Sequence, residues 1–151
     1  MESEKKLVVL VDDNPATLQS EMNIMSVNYR VATSPSAVKL FEFLEENDPD
    51  IIILDIDMPE IDGFQVIQAL KFRQDTKNIP VIFLTGKANP DDELKGLTLG
   101  AVDYITKPFQ PTVLLKRIEM HLKMEEQRKQ LDKQAEEIKL LKEELAGFKS
   151  A

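Results

Sequence analysis

Three stretches of this 151-residue chain carry an apolar run onto side chains capable of phosphate or metal chemistry. LVVLV gives way to Asp12 and Asp13, IIIL to Asp55 with Asp57 two residues on, and VIFL to Thr85 with Lys87 two residues on. Lys107, within DYITKPF, adds a cation. Carboxylates brought close together repel one another, so a cluster of Asp12, Asp13 and Asp55 requires a compensating charge. Oxygen ligands without histidine or cysteine suit Mg²⁺, with Mn²⁺ as a substitute, and Mg²⁺ characteristically takes one or two carboxylates plus waters and phosphate oxygens. A carboxylate beside such an ion can attack phosphorus, because the ion and an ammonium offset charge on the transferring oxygens. Lys107 can supply the ammonium, and the hydroxyl of Thr85 can bond a phosphoryl oxygen.

This chemistry depends on elements that bring the residues together. The runs at 7–11, 51–54 and 81–84 are short, rich in Val, Ile and Leu, and lack period-two alternation, as strands covered on both faces do. Weaker candidates at 29–32 and 102–105 complete a set of five. Helical patterns lie between them. Asn14-Pro15 opens the first, with Leu18, Met22 and Met25 on its inner face; Ser34-Pro35 opens the second, with Val38, Phe41 and Leu44 inside. Asp62 can cap a third carrying Phe64, Ile67 and Leu70, with Gly63 in a tight turn. Asn89-Pro90 introduces a fourth that stops at Gly100, and Pro111 begins the fifth.

Strands alternating with helices describe a parallel sheet covered on both faces, an α/β architecture whose functional site forms where loops leave the carboxyl ends of the strands. Asp12, Asp13, Asp55, Thr85 and Lys107 all fall at those ends. Singly, each is an ordinary strand terminator or solvated side chain. Together they define one edge.

The set formed by Asp12-Asp13, LDIDMPEIDG around Asp55, VIFLTG ending at Thr85, and DYITKPF containing Lys107 resembles the receiver domain of two-component response regulators. The resemblance covers roughly residues 5–120. It implies a flavodoxin-like, CheY-like five-stranded sheet in order 2-1-3-4-5, with Asp55 accepting a phosphoryl group from a sensor histidine kinase or a phosphotransfer protein. It further implies Mg²⁺ on Asp13, Asp55 and the backbone carbonyl of Asp57, with Asp12 acting through a metal-bound water. Thr85 and Lys107 would hold the phosphoryl oxygens, and the Lys107-Pro108 bond would be cis. Tyr104 falls where the family carries its switch aromatic, which would swing inward as Thr85 moves toward the phosphate and relay phosphorylation to the face of the fourth helix, fifth strand and fifth helix. Asp57 and Lys87 flank the phosphoryl position in the family, and an ion pair between them would tune phosphate lifetime; two independently solvated side chains are the alternative.

Composition narrows the partners. With 27 acidic against 19 basic residues the net charge is -8, which opposes direct binding to nucleic acid or to an anionic membrane surface. There is no cysteine, so disulfides and thiolate metal sites are excluded and a reducing, cytoplasmic setting is permitted. The N-terminal segment lacks the pattern of a signal peptide. His121 is the only histidine and falls on what reads as the polar continuation of the fifth helix, so the phosphodonor is another protein.

After Pro111 no helix breaker appears before Gly147, so the fifth helix is expected to run toward Phe148, more than about 50 Å at 1.5 Å per residue. Residues 1–118 therefore read as the receiver domain, and 119–151 as an extended helix. Met120, Met124, Leu131, Ile138, Leu141, Leu145 and Phe148 occupy a and d positions of one heptad register, interrupted by Gln127 and Gln134. In a parallel dimer Glu137 would face Lys142 and Glu144 would face Lys149, although Lys123 would face Arg128. A solvated single helix supported by its own charge pairs is the alternative. The end at AGFKSA fits either a stand-alone dimeric receiver or the front of a longer protein. Two other functions compete with the non-enzymatic switch. One is a phosphorylation-independent dimeric scaffold. The other is a haloacid-dehalogenase-type phosphatase, whose strand-plus-DxD motif Ile53 to Asp57 resembles; there the DxD follows the first strand, whereas here Asp12-Asp13 precede it.

Overall fold

The structure, a computed structural model, describes residues 5–150. Five strands, β1 (Leu7–Val11), β2 (Arg30–Ser34), β3 (Ile51–Leu54), β4 (Val81–Thr85) and β5 (Asp103–Thr106), form one parallel sheet in order β2-β1-β3-β4-β5. Five helices alternate with them: α1 (Pro15–Met25), α2 (Ala37–Glu46), α3 (Gly63–Phe72), α4 (Pro90–Thr98) and α5 (Pro111–Ser150). This is the flavodoxin-like arrangement.

The central strands are buried throughout because their alternate side chains enter two different cores. Ile51 and Ile53 join Leu18 and Met25 of α1 and Leu114, Ile118 and Leu122 of α5. Ile52 and Leu54 join Leu40 and Leu44 of α2 and Ile67 and Leu70 of α3. The register pairs Val11 with both Leu54 and Ser34, and Leu54 with Phe83, so β1, β3 and β4 end side by side. Whatever follows those strands must share one rim.

Helix starts hold the loops in place. Asn14 accepts from the backbone N–H of Ala16 and Thr17 ahead of Pro15, and Asp62 and Gln65 form a reciprocal capping box on α3. α2 starts later than Ser34-Pro35 implied: Ser34 closes β2, and Ser36 caps the helix by accepting from Lys39 N–H at 3.2 Å. That shift rotates the helix. Ala37, Leu40 and Leu44 face inward while Val38, expected inside, is 54% exposed. β2 and β5 each begin one residue later than expected, at Arg30 and Asp103, leaving Val102 partly in solvent.

α5 corrects the reading of His121. The ring is buried, with Nε2 3.0 Å from Asp103 Oδ2, while Arg117 donates to Asp103 Oδ1 at 2.8 Å, so this histidine fastens α5 to β5. From Lys129 to Lys149 every residue of the helix is exposed. No helix among the described residues is long and apolar enough to cross a membrane.

Candidate functional site

One carboxylate oxygen each from Asp12, Asp13 and Asp55 lies within 4.8 Å of the others at the carboxyl rim of the sheet. Backbone bonds continue the strand register beyond the strands themselves: Asp12 N–H donates to Ser34 O at 3.2 Å and Asp55 N–H to Val11 O at 2.9 Å. Side-chain oxygens are then oriented locally, Asp12 Oδ1 by Asn14 N–H at 2.9 Å and Asp55 Oδ1 by Ile56 N–H at 2.8 Å. Gly63 lets α3 begin against this turn. A Cβ there would stand 2.4 Å from the carbonyl oxygen of Asp55 and 2.8 Å from Ile56 Cα, so a side chain would displace the aspartate's own backbone.

The electrostatics follow from burial. Desolvation pushes the Asp55 carboxyl above the usual aspartate range, and the Asp12 charge adds to this, against the opposing pull of the Thr85 hydroxyl, Lys107 and Ile56 N–H. Asp12 is buried and Asp13 exposed, so the cluster opens to solvent on one side. Burial by itself would lower the Lys107 ammonium. The hydrogen bond to Asp12 and the charges of Glu21, Asp12 and Asp55 outweigh it and hold the group above its ordinary value.

Lys107 precedes a cis bond to Pro108, and its Nζ donates to Asp12 Oδ2 at 2.7 Å. A second carboxylate, Glu21 of α1, stands on its other side with Oε2 3.6 Å from Nζ. Sequence reasoning passed over Glu21. It is 4% exposed, Oε2 has no hydrogen-bond partner, and desolvation pushes the carboxyl up to about 7 despite the lowering effect of Lys107. Its position was visible in principle, because residues 18, 21 and 25 lie on one helical face.

Thr85 is wholly buried, and Lys87 N–H approaches its Oγ1 at 3.4 Å. Tyr104 lies inward. Its ring packs on Phe83 with centroids 6.0 Å apart, and its hydroxyl donates to Lys87 O at 2.7 Å, tying β5 to the loop that follows Thr85. Burial, reinforced by Asp92 and Glu93, pushes this phenol up to about 12. Gly96 of α4 permits the packing, since a Cβ there would stand 2.9 Å from the Phe83 ring and 3.3 Å from that of Tyr104. Lys87 Nζ stands 3.5 Å from Asp57 Oδ1, at the mouth of the site.

The donor set is entirely oxygen, negatively charged and open on one side, which fits Mg²⁺ with room for waters or phosphate oxygens. Among known proteins, residues 8–119 match the response regulator receiver domain family. A probable cyclic di-GMP phosphodiesterase of Vibrio cholerae is 41% identical over 115 residues, covering 76% of this chain and 26% of that protein. The regulatory protein VanR of Enterococcus faecium is 34% identical over 118 residues, covering 78% of this chain and 50% of its own. The chain thus spans between about a quarter and half the length of these curated relatives. Among solved structures, a CheY-like receiver domain protein from Methanospirillum hungatei superposes with a TM-score of 0.75 at 28% identity, covering 83% of this chain and 99% of that one. The receiver domain of a histidine kinase from Syntrophus aciditrophicus gives 0.72 at 33% identity, covering 78% and 90%.

Proposed function

The chain belongs to the response regulator receiver family, and from that premise we propose that it is a phosphorylation switch with Asp55 as phosphoacceptor. The donor is a phosphohistidine on a sensor histidine kinase or phosphotransfer protein. The observation that carries this reading is the convergence of three carboxylates within 4.8 Å beside the buried Thr85 hydroxyl and the Lys107 ammonium. Asp13, Asp55 and the backbone carbonyl of Asp57 would hold Mg²⁺, with Asp12 contributing indirectly, and the ion would supply positive charge to offset that on the phosphoryl oxygens. An Asp55 oxygen forms the new bond to phosphorus as the phosphorus–nitrogen bond of the donor breaks. The departing imidazole nitrogen keeps the electron pair and takes up a proton. Thr85 donates to one phosphoryl oxygen and Lys107 to another, so both leave their present partners.

The switch runs through Tyr104. Its hydroxyl bond to Lys87 O links the loop after Thr85 to β5, so movement of Thr85 toward a phosphoryl oxygen alters the packing of α4, β5 and α5. Conversion of a 1:99 resting population to 99:1 needs about 5.5 kcal/mol of differential stabilisation, which the new contacts must provide. The chain acts in the cytoplasm as a signalling component and not as a turnover enzyme.

Residues 119–151 form the output segment in this reading, a parallel coiled coil between two copies, with 1–118 as the receiver domain. Support comes from the exposure of Leu131, Ile138, Leu141, Leu145 and Phe148, each more than half exposed in the single chain. Lys123 and Arg128, which would face one another across the dimer, already have acids of their own helix, Glu119 for the first and Glu125 and Asp132 for the second. Intact mass after incubation with Mg²⁺ and a small acyl phosphate tests the chemistry. One phosphoryl adduct is expected, lost on standing and absent in Asp55→Ala. No adduct in folded wild-type protein would instead favour a phosphorylation-independent scaffold.

A further inference from the structure

Glu21 has no assignment in the phosphoryl chemistry, yet it sits against the residue that chemistry needs to move. Its side chain is 6% exposed and that of Lys107 is 24% exposed, so their attraction is only weakly screened. Oε2 makes no hydrogen bond, which leaves Lys107 Nζ at 3.6 Å as the cation offsetting its charge. Among the described residues, the ion pairs of Lys107 are to Asp12 and Glu21, not to Asp55. The ammonium is thus engaged by the carboxylate after β1 and by that of α1, not by the acceptor.

We propose that Glu21 is a positioning residue that holds Lys107 back from Asp55, so that a phosphoryl group on Asp55 must compete with a second buried carboxylate for the ammonium. The proposal rests on the phosphoacceptor role of Asp55. Its logic is the cost of separation. When Lys107 turns toward a phosphoryl oxygen, Asp12 gives up its bond at Oδ2 but keeps Asn14 N–H at Oδ1, whereas Glu21 Oε2 is left buried with neither a hydrogen bond nor its cation. Glu21 therefore weakens the phosphorylated state and shortens its lifetime, by acting on the lysine and without touching phosphorus.

The test is the affinity for beryllofluoride, a non-reacting stand-in for the phosphoryl group, measured by fluorine NMR at about pH 8, where Glu21 is ionised, in saturating Mg²⁺ on the full chain. Glu21→Gln, which keeps the size and removes the charge, is expected to bind about tenfold more tightly. Glu21→Leu is expected to match it, whereas a packing role would separate the two. In a Lys107→Ala background affinity is weaker, and Glu or Gln at position 21 should then be equivalent, because the effect acts through the lysine. Equal affinity of wild type and Glu21→Gln overturns the proposal, as does a gain that persists without Lys107. Wild-type protein that binds no beryllofluoride overturns the phosphoacceptor reading itself, a distinct result.

Discussion

The globular body and the projecting half of α5 leave opposite things unsatisfied. In the body the side chains of the central strands are covered, down to 0% exposure for Ile52, Ile82 and Phe83, while Asp12, Asp13 and Asp55 crowd together with the Lys107 ammonium on the first of them. In the extension the charges pair along the helix, as Arg128 does with Glu125 and Asp132, while Leu131 is 65% and Leu145 61% exposed. Each deficit names its remedy. Crowded carboxylates call for a cation, and an uncovered apolar stripe calls for a second apolar stripe.

The sharpest way to break this contrast is to remove the stripe. Replacing Leu131, Ile138, Leu141 and Leu145 together by Gln should convert a dimer to a monomer in sedimentation velocity and weaken association more than about 100-fold, since each buried aliphatic side chain contributes about 1.5–3 kcal/mol. Phosphoryl incorporation at Asp55 should be unchanged. A wild-type chain that is already monomeric at tens of micromolar would show that i,i+4 pairing alone sustains the helix.

Glu21 sharpens the comparison from within the body. Its carboxyl stands at about 7 in the folded chain against an ordinary value of 4.5, so the folded state binds this proton more tightly than the unfolded state. The associated stability is fully present below pH 4.5 and is lost as pH rises through 7. Relative to Glu21→Gln, the metal-free wild type should therefore lose on the order of 2 kcal/mol between pH 5 and pH 8 in urea unfolding. Parallel profiles for the two proteins would mean that Lys107 neutralises Glu21 completely.

Carboxylate repulsion is a further strain of the same kind, spread over three groups. Asp13→Asn or Asp55→Asn should raise metal-free stability by about 1 kcal/mol, read as a higher Tm, and the gain should vanish or reverse in Mg²⁺. For Asp55 the sign follows from its raised pKa: ionisation is less favourable in the folded chain, so the gain grows as pH rises above the aspartate range. Lower stability in both variants would show that the clustered geometry is not repulsive.

What the sequence disclosed follows the same division. The central strands were legible because Ile51 to Leu54 and Val81 to Leu84 are apolar on both faces, and the proline-marked starts of α1, α4 and α5 stood at Pro15, Pro90 and Pro111. β2 was blurred because an edge strand reading RVATS carries no continuous apolar run, and with its end misplaced the face of α2 rotated with it. Glu21 and His121 were missed for one shared reason. Each occupies the inner stripe of its helix, in register with Leu18 and Met25 or with Leu114 and Ile118, and a search for apolar periodicity skips charged and polar members of the stripe. The partners that make their burial tolerable, Lys107 and Asp103, lie on other elements, where helical spacing carries no information about them. The acidic rim was legible because strand ends in a parallel sheet converge whatever the loops do. The ion pair of Lys107 with Glu21 was not, since it depends on a contact between α1 and the loop after β5.

The smallest expected effect concerns Asp57 and Lys87, whose ion pair at 3.5 Å lies at the mouth of the site with side chains 65% and 39% exposed. So exposed a pair contributes under about 0.5 kcal/mol to stability, and neither Asp57→Ala nor Lys87→Ala should move the melting curve measurably. The effect belongs to kinetics. Two side chains drawn together at the entrance to a phosphorylated Asp55 would narrow the path of an attacking water, so each substitution should change the dephosphorylation half-life by about two- to threefold, less than 1 kcal/mol in barrier height. The double variant should do no more than either single one, because both remove the same pair. Additive changes would mean that each side chain acts on water by itself, and unchanged half-lives in both single variants would reduce the pair to two solvated charges.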